Sequence, residues 1–155
     1  MKFRKAIIFV AGVMMLLLAC GIPGLEDGYL NLDFELDEAQ FMNLIEDGTF
    51  VINGENVFDL VTSVDFRDGV IHIEGTRDGV DGFVDIALSA EDNQLKAEIV
   101  DYDVAGMEEN LEQANQVLSD SLSQATGQAG DVEFTNVEVT DEAIVMSLRV
   151  RVVQE

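Results

Sequence analysis

The sequence predicts an α+β domain: an antiparallel meander sheet packed on one long amphipathic helix, with a short helix near its start, in the order β-α-β-β-β-β-α-β-β. Three features lead there. Apolar and polar residues alternate along several runs, Asp-Gly and Asn-Gly pairs stand between runs, and over residues 107–125 the apolar period lengthens from that of a strand to that of a helix.

From Gly28 to Leu36, Leu30, Leu32, Phe34 and Leu36 share one face and Asn31, Asp33 and Glu35 the other, the pattern of a half-buried strand. Asp37 followed by Gln40 has the sequence of a capping box, and Phe41, Leu44 and Ile45 recur at helical spacing until Gly48. Residues 49–52 and the pair Asn53-Gly54 predict a tight turn, after which a strand including Leu60, Val64 and Phe66 leads to the hairpin signal Asp68-Gly69. The meander continues through Ile71 and Ile73, then Val84, Ile86 and Leu88, then Leu95, Ala97 and Ile99, with turns at residues 77–82 and 91–93.

Met107, Leu111, Ala114, Leu118, Leu122 and Ala125 then share one side of a helix that turns Glu108, Glu109, Glu112, Gln116 and Asp120 away and ends at Gly127. Strands around residues 132–139 and 143–153 follow, joined at Asp141-Glu142, the last with Ile144, Met146, Leu148, Val150 and Val152 on one face. Connections this short exclude parallel crossovers, so the strands are expected to form one antiparallel sheet with the long helix as its main partner.

Ahead of this domain stand MKFRK, with three cations, and then the uncharged run from Ala6 to Ala19, closed by Cys20-Gly21-Ile22-Pro23. That is the outline of a secretion signal. The run has 14 residues, whereas a spanning helix needs about 20, and Gly21 and Pro23 stop a helix beyond it. Leu17-Leu18-Ala19-Cys20 resembles the lipobox of bacterial lipoproteins. The resemblance covers the first 20 residues or so and implies a thioether-linked diacylglycerol on Cys20 and cleavage between Ala19 and Cys20, with Leu17, Leu18 and Ala19 recognised by the signal peptidase. An ordinary signal peptide cut near Ala19, or an uncleaved anchor, are the alternatives. The expected organisation is a lipoprotein signal peptide over residues 1–19, a lipidated cysteine and short tether over 20–27, and one α+β domain over 28–155.

Cys20 is the only cysteine, so an exported domain lipidated there has no internal disulfide and depends on packing. Each acyl methylene in the bilayer contributes about 0.8 kcal/mol, and two chains hold a protein stably where one does not. The expected location is the cell envelope, anchored outside the cytoplasmic membrane or on the outer membrane. Cleavage after Ala19 removes three of eight cations and none of the 31 acids, leaving five against 31 and a net charge of −26. So negative a surface repels phosphates, which excludes nucleic acid as a partner. The tether, residues 21–27, reaches at most about 23 Å, well beyond the screening length of about 8 Å. The acidity fits solubility or adaptation to salt, or else a cationic partner.

Little in the chain carries catalysis. His72 is the only histidine, and alternation places it on the polar face as a solvated strand residue; a zinc site lacks ligands. No G-x-S-x-G elbow supports a triad, no carboxylate pair stands out, and no tryptophan is present to stack a sugar. The protein is therefore expected not to be an enzyme and to need no cofactor. Asp78, Asp81 and Asp85, set among glycines, are weak calcium candidates without EF-hand spacing and are equally explained as turn residues. Arg149 and Arg151 lie on the outer face of the last strand, to pair with acids such as Glu133 or Glu138 or to grip an anionic partner group.

The helix stripe is either core or one wall of a slot for an acyl chain or other apolar ligand, lined by Met107, Leu111, Leu118, Leu122 and Met146. The opening LDFELDEAQFMNLI, the meander, the long helix and the closing VEFTNVEVTDEAIVMSL resemble small exported bacterial proteins related to one half of the tubular lipid-binding modules. The likeness spans most of residues 28–153 and rests on element order. It implies a non-catalytic binding lipoprotein whose partners are the membrane, through its anchor, and a lipid or apolar small molecule. The alternative is a structural lipoprotein that docks to an envelope protein assembly through its acidic surface.

Overall fold

The computed structural model describes residues 25–26, 29–45, 48, 50–52, 55–128 and 132–151. The lipobox residues Leu17, Leu18, Ala19 and Cys20 lie outside the described residues, as does the Asn53-Gly54 pair. Over the described residues the chain is α+β, mostly antiparallel sheet with two helices. Its elements are β1 (Leu25–Glu26), β2 (Tyr29–Asp37), α1 (Glu38–Leu44), β3 (Phe50–Ile52), β4 (Glu55–Phe58), β5 (Leu60–Arg67), β6 (Val70–Arg77), β7 (Val80–Glu91), β8 (Gln94–Asp103), α2 (Leu111–Gln128), β9 (Val132–Val139) and β10 (Ala143–Arg151). No helix of the described residues is long and apolar enough to cross a membrane.

The expected single sheet is in fact two four-stranded sheets, ordered β1-β2-β10-β9 and β5-β6-β7-β8, with β3 and β4 as a separate hairpin. Side-chain register explains the first. Leu30, Leu32, Phe34 and Leu36 of β2 stand opposite Val150, Leu148, Met146 and Ile144 of β10, so two alternating runs pair apolar face with apolar face. The second sheet cannot extend beyond β8, because α2 lies along it: Asn115 accepts a hydrogen bond from the Ile99 N–H at 2.8 Å and donates to the Ile99 carbonyl at 3.5 Å. A helical side chain thus satisfies backbone groups that a further strand would have used. The two sheets share a core that runs from Phe58, Phe66, Ile71, Ile73 and Val84 to Val139 and Ile144.

Local chemistry fixes the ends of elements. Asp37 accepts from the Gln40 N–H at 2.7 Å while the Gln40 side chain accepts from the Asp37 N–H at 3.0 Å, the reciprocal capping box. Asp68-Gly69, Asp78-Gly79 and Asp92-Asn93 all adopt positive φ at both residues, which joins β5 through β8 by two-residue turns.

One strand stands as expected with an irregularity, and two further expectations need correction. The strand expected to include Leu60, Val64 and Phe66 is β5, which starts after Asp59, ends at the Asp68-Gly69 turn and has a bulge between Val61 and Ser63 that shifts its alternation. Val61 and Phe66 are consequently buried, while Leu60 is 52% exposed. The long helix begins at Leu111, not near Gly106: Gly106 has φ +82°, and residues 104–110 form successive turns closed by the Met107 N–H to Val104 carbonyl and Asn110 N–H to Met107 carbonyl bonds. Met107 is therefore a buried turn residue rather than part of a helical stripe. Lastly, His72 is buried, at 4% exposure. Alternation does place it opposite Ile71 and Ile73, but the outward face there is covered by its own side chains.

Candidate functional site

Around His72 the outer face of the second sheet is built by register. Asp65, His72, Asp85 and Asp101 form one row across β5 to β8, and Ser63, Glu74, Phe83 and Asp103 the next. His72 Nδ1 meets Asp85 Oδ1, Nε2 lies 3.4 Å from Glu74 Oε1, and the imidazole lies tilted against the Phe83 ring, 5.3 Å between centroids. Neutral imidazole has one N–H, so only the protonated ring donates to both carboxylates. Ser63 Oγ donates to Glu74 Oε2 at 2.7 Å. The Glu74 carboxylate thus bridges the Ser63 hydroxyl and the imidazole, one oxygen to each. The Ser63 hydroxyl first, and His72 second, hold the Glu74 carboxyl below its ordinary range.

A second site lies at the other side of the same sheet, at the end of β6. Ile71, Ile73 and Gly75 face the core, and Arg77 continues that face to where the strand meets the hairpin β3–β4 and the turns before α2. Two glycines allow this crowding. A Cβ on Gly75 would lie 2.5 Å from Cγ of Phe58, and one on Gly82, its cross-strand partner, 2.2 Å from the Asp103 carbonyl oxygen. Phe58 is completely buried as a result. Asp59, at the break between β4 and β5, clamps the region: it accepts from the Asp78 N–H at 2.9 Å and from Asn56 Nδ2 at 3.1 Å. Those two bonds, in that order, and the charge of Arg77 hold the Asp59 carboxyl below its ordinary range.

Two cavities share Arg77. One, of about 80 Å³, is bounded by Ile52, Val57, Met107 and Ala114 and by the amides Asn56, Asn110 and Gln113. The other, of about 190 Å³, lies over Phe58, Val80 and Val104 with Asp78, Asp81 and Asp103 among its lining residues.

Of the residues expected to line an apolar slot, Met107 borders the smaller cavity. Leu111, Leu118, Leu122 and Met146 are half-buried and pack on the core, outside the lining of both cavities. The calcium candidates do not converge. Asp78 sits in a turn, and Asp81 and Asp85 are four residues apart on one extended strand, about 13 Å at the usual rise, with Asp85 engaged by His72. Among the described residues no group of three His, Cys, Asp or Glu side chains is arranged to hold a metal ion. Arg149 pairs with Glu133 and lies 4.9 Å over the Tyr29 ring.

Sequence reasoning overlooked Arg77, Phe58 and the Gly75–Gly82 pair. The usable signal was the glycine inside each strand of a hairpin, equally spaced about Asp78-Gly79, because an interior strand glycine marks close approach. No protein-family model, no curated protein and no solved structure matches the chain.

Proposed function

We propose that the protein is a lipid-anchored, non-catalytic lipoprotein of the cell envelope with a binding role, its ligand a lipid or another apolar molecule. The observation that carries the address is Leu17-Leu18-Ala19-Cys20 after a cationic start and an uncharged run too short to span. The likeness in element order to half of a tubular lipid-binding module supports the ligand class. So do apolar surfaces left half-buried: Leu111, Leu118 and Leu122 on α2, Met146 on β10, and Leu30, Leu32 and Phe34 on β2.

The test is intact and native mass spectrometry of protein extracted from membranes, beside a Cys20→Ala control. A chain starting at Cys20 with added acyl mass, absent from the control, and with further bound lipid that survives mild delipidation, is the expected result. A chain that retains residues 1–19 sinks the anchor, and an acylated but empty domain sinks the lipid ligand.

A second reading is favoured by the two rows around His72, which set Asp65, Glu74, Asp85, Asp101 and Asp103 on one sheet face. That surface suits a cationic partner in an envelope assembly. Capture that weakens steeply with added salt is the outcome this reading expects.

A further inference from the structure

We propose that the smaller cavity is a carboxylate site: Arg77 receives the head of a monocarboxylate whose short apolar tail lies on Ile52, Val57 and Met107. The inference rests on the binding role proposed above and names its ligand chemistry. Arg67, Lys96 and Arg149 each have a carboxylate within 4 Å. Half-buried Arg77 has none among the described residues, in a chain with 31 acids. Its hydrogen bond is a long one, Nη1 to the Ala105 carbonyl at 3.5 Å. A guanidinium carries five N–H donors, so most of its capacity is open.

Asp59, the acid whose charge it feels, already spends one oxygen on Asn56 and the other on the Asp78 N–H. The residues lining the smaller cavity include no acid; the larger cavity includes three, which would repel an anion. Beside Arg77 stand the amides of Asn56, Asn110 and Gln113 as further donors, and beneath them a floor of Ile52, Val57 and Met107, each at most 7% exposed. About 80 Å³ holds a carboxylate and a few methylenes, not a whole lipid. A cation finds an unpaired arginine here, and an uncharged tail leaves that arginine's donors unmet; a carboxylate satisfies both sets of groups.

The test is calorimetric titration of the protein extracted from membranes, kept in detergent, with hexanoate, hexanol and hexylamine, which share a tail and differ in the head. Hexanoate is expected to bind at least tenfold tighter than hexanol, and Arg77→Gln to remove that preference. Gln113 is exposed on α2, so Gln113→Glu tests the site without burdening the fold; it should weaken hexanoate tenfold or more and favour hexylamine. Equal binding of hexanoate and hexanol would overturn the carboxylate site while leaving a binding role in place. Failure of all three to bind would overturn the site, and the native mass spectrum of the same preparation reports separately on bound lipid, hence on the binding role, and on the anchor.

Discussion

Arg77 and His72 lie on the same strand, five residues apart, and the pleat sends them to opposite faces of the sheet. His72 is surrounded by acids and bonded at both nitrogens, whereas Arg77 has open donors and a cavity. The acidic cluster should show itself in stability against pH. Because Glu74 has a folded-state pKa held below its ordinary value, its contribution is present above the unfolded pKa, near 4.5, and is lost as pH falls through the lower folded value. In Glu74→Gln that dependence vanishes. Urea midpoints of the two proteins should therefore differ by a steady amount well above pH 4.5 and converge as pH falls below 4.5 through the lower folded value; a gap that persists unchanged into strong acid would contradict the assignment. Neither role was legible from alignment of polar and apolar letters. Alternation gave His72 the correct face and the wrong solvation, since burial there comes from Phe83 and Asp85 on the neighbouring strand together with Glu74 two residues along its own.

At the scale of elements, the local signals were dependable wherever chemistry is local. Asp37 and Gln40 are three residues apart and make both bonds of the capping box, so α1 starts where the letters place it. Asp37→Ala should cost about 1 kcal/mol, readable as a lower urea midpoint with unchanged slope; a change below about 0.3 kcal/mol would mean the seven-residue helix is held by packing alone. Phe41 is the means of such packing, meeting Phe66 edge-on at 5.9 Å. Asp68-Gly69 and Asp78-Gly79 were equally readable as two-residue turns, whereas Asp81-Gly82, also expected as turn residues, lies inside β7, where pairing with β6 holds it extended. What local signals did not carry is the bulge inside β5 and the start of α2. The bulge after Val61 is set by pairing with β6, and the late start of α2 follows from turns that bury Met107 against the hairpin β3–β4. Both depend on residues remote in sequence.

For the molecule as a whole, one core joins the two four-stranded sheets, although no strand is common to both. Ile144 sits on β10 in the first sheet at 2% exposure and belongs to the same cluster as Ile73 and Val84 of the second. Ile144→Ala should therefore lower the stability of the entire domain by about 2–5 kcal/mol, with secondary-structure and tyrosine signals moving to one new midpoint. Two separated transitions would show instead that the sheets unfold independently. The strong acidity, the three cations and short apolar run before a lone cysteine, the α+β class, most of the turns and the cap follow from the sequence by itself, because each depends on composition or on neighbours within a few residues. Only the tertiary structure decided that β10 pairs with β2 and β9 while α2 closes the edge of β8, that His72 is buried among acids, and that Arg77 opens onto a cavity lined without them. Those outcomes depend on which apolar faces meet and which backbone groups remain to be satisfied, and such competition is resolved by the whole chain at once.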